Sequence, residues 1–194
     1  AKSSMRAVEF LAKNKAKKIL NFSGGTHHGR KSFASGFCFL NDCILSILKS
    51  IELGFKKILY IDIDARHCDA VQDNFLNYEN VQIISIHENN KWPRTGKLEE
   101  SKIPNIINIP VPEKFNDSEM LYVINNLIVP YCTNYSPDLT IIQAGADCLE
   151  DDPQSKMSLT NTSYWKSIST LKNLSERTLI LGGGGYNPYI TAKA

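Results

Sequence analysis

Apolar residues fall along this chain in two rhythms. Compact runs rich in Ile, Leu and Val occupy Lys18 to Phe22, Lys57 to Ile63, Val81 to Ile86, Ile106 to Val111, Leu139 to Gln143 and Thr178 to Leu181. Short runs that are apolar almost throughout are the pattern of strands buried on both faces. Between them lie stretches with helical spacing, at Ser3 to Asn14, Gly36 to Leu53, Ala70 to Asn77, Ser118 to Tyr131 and Asn161 to Leu174. Asn116-Asp117-Ser118 and Thr160-Asn161 supply capping side chains where two of these helices begin. Strand alternating with helix predicts βαβ units, and so an α/β fold with an open, mainly parallel sheet and helices on both faces.

The longest stretch without a period runs from Glu88 to Asn105 and carries Trp92, Pro93, Arg94, Thr95 and Gly96. A loop of that length and composition is expected to serve function. No internal repeat or linker interrupts the chain, so residues 1–194 read as one domain.

Composition narrows the function classes. Lys+Arg 22 against Asp+Glu 20 leaves a net charge of +2, and the one basic cluster, Lys13, Lys15, Lys17 and Lys18, reads as a solvated helix end. Direct nucleic-acid binding is therefore not expected. The five cysteines form no C-x-x-C pair, which favours free thiols in a reducing compartment. No apolar run approaches the roughly 20 residues that span a bilayer, and no leader-like segment opens the sequence, so the expected location is the cytoplasm.

In open parallel sheets ligands bind beyond the carboxyl ends of the strands, and there this chain concentrates its polar residues. The first strand is followed by Ser23-Gly24-Gly25-Thr26-His27-His28-Gly29. The second ends in Asp62, Asp64, Arg66, His67 and Asp69, and the fifth is followed by Gly145-Ala146-Asp147. The sixth is followed by Gly182-Gly183-Gly184-Gly185-Tyr186, while Ser85 and His87 close the third. Each feature alone has an ordinary structural reading as a turn, a cap or a tight glycine corner. Together on one edge they predict a metal-type or acid/base site. Asp62 and Asp64, two apart on extended chain, share a face, and Asp147 comes from a neighbouring strand end. Carboxylate and imidazole ligands with an open position describe catalytic zinc. His27 and His28 are then candidates for general base and acid, and Tyr186 for a donor to a developing oxyanion.

These segments resemble the histone deacetylase family, zinc-dependent amidohydrolases that include acetoin-utilisation proteins and acetylpolyamine deacetylases. The resemblance is carried in order by Asn21 to Gly29, Ala34 to Asp42, Tyr60-Ile61-Asp62-Ile63-Asp64, Gly145-Ala146-Asp147 and Leu181 to Pro188. Ile86-His87-Glu88, Trp92 to Gly96 and Tyr186-Asn187-Pro188-Tyr189 look most like the bacterial acetoin-utilisation branch. The resemblance implies an arginase/deacetylase-like fold and removal of an acetyl or other acyl group from acetyl-lysine or a small acetylated amine. It implies that His27 and His28 are the catalytic pair, that Asp62 orients one of them, that Asp64 and Asp147 ligate zinc, and that Tyr186 polarises the amide carbonyl. It further implies that Gly36, Phe37 and Gly184 line a narrow substrate channel, and that Asp62, Asp64, Ser85 and Ile86 surround a potassium-type monovalent cation. An oligomer is compatible with this reading.

Three departures stand out. Where the family pattern places the third zinc ligand, a histidine, this chain has Arg66; a guanidinium has no free lone pair and cannot ligate. It is expected instead to bridge Asp64 and Asp147 by bidentate hydrogen bonds, unless a local distortion brings His67 into the ligand position. Cys68 and Ala70 stand where the pattern has glycines, Cys68 reading as a small core residue. The resemblance also implies that the domain is truncated at both ends. Two readings stay open: a zinc-dependent amidohydrolase, or a catalytically impaired acylamine-binding or assembly protein. A phosphatase reading of Asp62-Ile63-Asp64 fails on Arg66 and on the want of a later acidic pair at a strand end, and the contiguous glycines lack dinucleotide-binding spacing.

Overall fold

The structure is a computed structural model describing residues 1–194. Six parallel strands form one sheet: β1 (Lys18–Asn21), β2 (Ile58–Asp62), β3 (Val81–Glu88), β4 (Ile106–Val111), β5 (Leu139–Gln143) and β6 (Arg177–Leu181). Their spatial order is β1-β6-β5-β2-β3-β4. The helices are α1 (Lys2–Ala12), α2 (Asp42–Glu52), α3 (Asp69–Asn74), α4 (Asp117–Val123), α5 (Val129–Tyr135), α6 (Asn161–Leu171) and α7 (Pro188–Thr191).

Side chains of a strand alternate between the two faces of its sheet, and β2 feeds two separate cores in this way. Leu59, Ile61 and Ile63 pack with Ile84, Ile86 and Ile142 beneath Met120, Val123, Ile124 and Tyr164, from α4, α6 and the turn after α4. Ile58 and Tyr60 pack with Ile83, Ile141 and Leu179 beneath Val8, Leu11, Ile47 and Val71, from α1, α2 and α3. The expected sheet with helices on both faces is what the chain forms.

Several element boundaries differ from expectation, and three of the differences have a clear local reason. The second helix starts at Asp42 rather than Gly36, because Gly36 and Phe37 hold φ values of 50° and 62°, outside the helical region. The stretch from Ser118 to Tyr131 divides: Ile124–Ile128 forms a wide π-type turn, and a helix then restarts at Val129 and runs on to Tyr135. Pro130, having no N–H, sits in the first turn of the restarted helix, where none is needed. The expected loop from Glu88 to Asn105 gives Glu88 to β3 and contains a short 3₁₀ turn at Leu98–Lys102.

The order of strands reverses between β5 and β2. From β2 the chain moves outward through β3 to β4, and β5 returns to the other side of β2. That reversal is the topological switch point, where open parallel sheets place their ligands.

Candidate functional site

The loop after β1 carries both histidines, and α2 holds that loop in place. Asn41 caps the helix by accepting from the Ile44 N–H at 2.9 Å, while its amide donates to the His27 carbonyl at 2.8 Å and the Gly29 carbonyl at 3.1 Å. Asp42, 1% exposed, accepts from the Thr26 N–H at 2.8 Å, the Gly25 N–H at 3.0 Å, the Thr26 hydroxyl at 2.6 Å and the Ser4 hydroxyl at 2.5 Å. A carboxylate in the first turn of a helix is also favoured by the helix dipole.

Each histidine is paired with a buried carboxylate. His27 Nδ1 lies 2.7 Å from Asp62 Oδ2, at the end of β2, and Asp62 also accepts from the Tyr60 hydroxyl at 2.6 Å. His28 Nδ1 lies 2.7 Å from Asp69 Oδ1, in the first turn of α3, and Arg30 donates to the other Asp69 oxygen at 2.5 Å. The two rings are 4.0 Å apart, and Trp92, from the long loop, meets His28 edge-on at 4.7 Å. Burial drives the His27 imidazole down, but the Asp62 and Asp64 carboxylates outweigh it and raise it to about 9. His28 moves down instead, through burial and the His27 charge, against the Asp69 hydrogen bond. An imidazole whose Nδ1–H donates to a carboxylate carries its free lone pair on Nε2. His28 Nε2 is buried and has no hydrogen-bond partner.

Asp64 and Asp147 meet at the switch point. Asp64 Oδ2 accepts from Gln143 Nε2 and from the Gly184 N–H, both at 2.9 Å, and Oδ1 accepts from the Arg66 N–H at 3.1 Å. Asp147 Oδ1 accepts from the Ala65 N–H at 2.8 Å, and Oδ2 from Arg66 Nη1 at 3.0 Å. Against burial, the His27 charge and these N–H donors hold the Asp64 carboxyl down at about 2. Burial and the neighbouring Asp64 charge push Asp147 up. Gly184 passes so close that a Cβ there would lie 2.3 Å from Asp147 Oδ2.

Contrary to the expectation from the sequence, Arg66 does not bridge Asp64 and Asp147 through its guanidinium. Its side chain reaches Asp147 alone and turns its other end to Gln154, with Nη2 3.0 Å from Oε1 and 3.2 Å from the main-chain oxygen; only its main-chain N–H serves Asp64. The guanidinium carbon lies 5.5 Å from the centre of the Tyr186 ring. His67 does not enter the ligand position, since Nδ1 bonds the Thr95 hydroxyl at 2.8 Å and Nε2 the Gln72 side-chain oxygen at 3.0 Å. Ser85 pairs in register with Asp62 and shares its hydroxyl with His87 at 2.9 Å, and Ile86 is fully buried. Cys68, like the other four cysteines, is buried and unpaired.

His27, His28, Asp64, Arg66, Phe37 and Tyr186 line one pocket of about 550 Å³, as do Gly36 and Gly184, whereas Asp62, Asp147, Ser85 and Ile86 lie behind its surface. Tyr186 is half-buried; burial and the Asp147 and Asp64 charges push its hydroxyl up to about 12, so it stays protonated and can donate. The sequence marks Asp69 only as a strand-end acid, and nothing in it marks Gln143, Gln154 or Asp42 for a role in the site. No spacing rule marks such residues, because the partners that fix their roles lie 16 to 118 positions away.

The donor set does not fit a bound zinc or other transition metal. Such a site needs three protein ligands with lone pairs directed at the ion, whereas here two carboxylates stand beside a guanidinium at the third position, which has no lone pair to give and already occupies Asp147 Oδ2.

A parallel sheet thus carries two histidine–carboxylate pairs, a carboxylate pair and a tyrosine at one polar site beside its switch point. The chain belongs to the histone deacetylase family: the histone deacetylase domain matches residues 1–194. It is 32% identical to histone deacetylase 8 of Xenopus laevis over 98% of this chain and 60% of that protein. It is 35% identical to histone deacetylase B of Dictyostelium discoideum over 86% of this chain and 41% of that protein. Among solved structures, a histone deacetylase homologue from Aquifex aeolicus superposes with a TM-score of 0.90 at 35% identity, over 98% of this chain and 52% of that one. A further structure, of such a homologue complexed with SAHA, gives the same TM-score and identity. The chain thus spans between about half and 60% of these two structures and of the first of these relatives. No helix in it is long and apolar enough to cross a membrane.

Proposed function

We propose that this pocket receives an acylated primary amine, acetyl-lysine or a small acetylated amine, and hydrolyses its amide. The observation that carries the reading is the buried Nε2 of His28, which has no hydrogen-bond partner and belongs to a residue that lines the same pocket as Tyr186. In this mechanism His28 takes a proton from water as its oxygen attacks the acyl carbon, and Tyr186 donates to the oxygen that gains charge. His28 then gives that proton to the amine nitrogen as the C–N bond breaks, leaving a carboxylic acid and an amine; the acid's proton passes to the amine, and the products are a carboxylate and an ammonium ion. Asp69 fixes the tautomer that His28 needs, and Asp62 holds His27 beside it. Gly36, Phe37 and Gly184 form the walls along which the acyl chain enters, which fits the 6.2 Å separation of the Phe37 and Tyr186 rings.

A second reading, binding without cleavage, is favoured by one observation, the Arg66–Asp147 ion pair at 3.0 Å. Acetate release from an N-acetyl-lysine peptide separates the two. Hydrolysis predicts release that falls by roughly 10²-fold or more in His28→Ala; peptide binding with no acetate release in the unaltered protein would establish the second reading.

Two finer assignments belong here. A place in the acetoin-utilisation branch is supported by the segments at Ile86 to Glu88, Trp92 to Gly96 and Tyr186 to Tyr189, and a cytoplasmic location by five unpaired, buried cysteines.

A further inference from the structure

The geometry points to Arg66 as the resident cation of this pocket, standing in place of a metal and meeting the carbonyl oxygen of an acylated amine with its N–H groups. This rests on the acylamine reading above and adds to it the means by which the ligand's oxygen is held.

Four observations converge. The guanidinium is fixed at both ends, by Asp147 through Nη1 and by Gln154 through Nη2, so it does not swing freely into solvent. These contacts account for three hydrogen bonds from a group with five N–H donors, which leaves donors for a ligand, and Arg66 borders the pocket together with His27, Asp64 and Tyr186. The buried carboxylates have counter-charges from the chain itself: Arg66 beside Asp147, and His27 Nε2 at 3.8 Å from Asp64 Oδ1. A divalent ion there would face a fixed guanidinium at close range in a poorly solvated site, where like charges repel strongly. His67, next to Arg66 in the chain, does not supply the missing ligand, since both its ring nitrogens are engaged elsewhere.

A guanidinium suits a carbonyl oxygen because its N–H groups are planar and pre-oriented. It differs from a metal in one consequence that can be measured, indifference to chelators. The whole chain is incubated with excess zinc, desalted and assayed by elemental analysis beside Arg66→His. Binding of an acetyl-lysine peptide to the unaltered protein and to Arg66→Met is then measured with and without EDTA.

The expected results are less than roughly one zinc per ten chains in the unaltered protein and close to one per chain in Arg66→His, whose imidazole completes a three-ligand set. Peptide affinity is expected to be unchanged by EDTA and weakened about tenfold or more in Arg66→Met, the loss of a charged hydrogen bond. About one tightly held zinc per unaltered chain would overturn the inference, whether or not Arg66→His folds. Peptide binding that Arg66→Met leaves intact would overturn it as well. If the peptide binds no form of the protein while zinc stays absent, the acylamine reading fails and the assignment of Arg66 as the resident cation stands on the metal result.

Discussion

Gly36 holds a backbone conformation that a side chain would strain, and it does so against the ring of the buried His28. Its φ is 50°, and a Cβ there would lie 2.5 Å from Cδ2 of His28 and 2.7 Å from Cη2 of Trp92. Neither ring can yield easily, because His28 is tied to Asp69 and Trp92 packs edge-on against it. Gly36→Ala is therefore expected to displace the imidazole and lower acetate release by roughly tenfold or more, since displacements of about 1 Å cost rates of that order or greater. Circular dichroism would show an unchanged fold, and turnover equal to the unaltered protein would refute the close contact. At this scale the sequence was informative about residue type and poor about partners. Arg66 stood out because a guanidinium occupied a ligand position. That its far end would rest on Gln154, 88 positions away, depended on how the loop after β5 folds back, and no local pattern encodes that.

One helix end organises the histidine loop. Asn41 and Asp42 begin α2, and between them they hold the main chain from Gly25 to Gly29. Removing the Asp42 carboxylate strands the Gly25 and Thr26 N–H groups and the Ser4 hydroxyl in a buried setting, and each unsatisfied group costs about 1–3 kcal/mol. Asp42→Ala is expected to lower stability by about 2 kcal/mol or more and to abolish acetate release with it. Urea unfolding gives the first quantity; a midpoint unchanged from the unaltered protein would show that the carboxylate does not hold the loop. The strands were legible in the sequence because a buried parallel strand must be apolar at almost every position, as Ile58 to Tyr60 and Leu139 to Ile142 are. The start of α2 was not, because the apolar run through Phe37, Phe39 and Leu40 continues the helical spacing while the backbone there is bent away from helix. Those three side chains are exposed, 83%, 83% and 65% respectively, rather than packed in the core.

Across the molecule, the site follows from topology. Asp62 and Gln143 stand in register at the carboxyl ends of β2 and β5, the two strands between which the sheet order reverses. Asp64 and Asp147 extend just beyond them, and the loops after β1 and β6 bring in His27, His28, Gly184 and Tyr186 from the other side of β5. Four separate segments thus contribute to one opening, which is why the sequence could predict a convergent site from strand ends alone, and why it could not rank the contacts within it. The fold and the family support an acylamine ligand, and the measurement that tests this claim most directly is calorimetric titration of the protein with a lysine peptide in its acetylated and unmodified forms. The acetylated peptide is expected to bind at least about tenfold more tightly, a difference of about 1.4 kcal/mol, because only its lysine side chain carries a carbonyl oxygen for Arg66 and Tyr186. Equal affinity for the two peptides, or preference for the free amine, would contradict it.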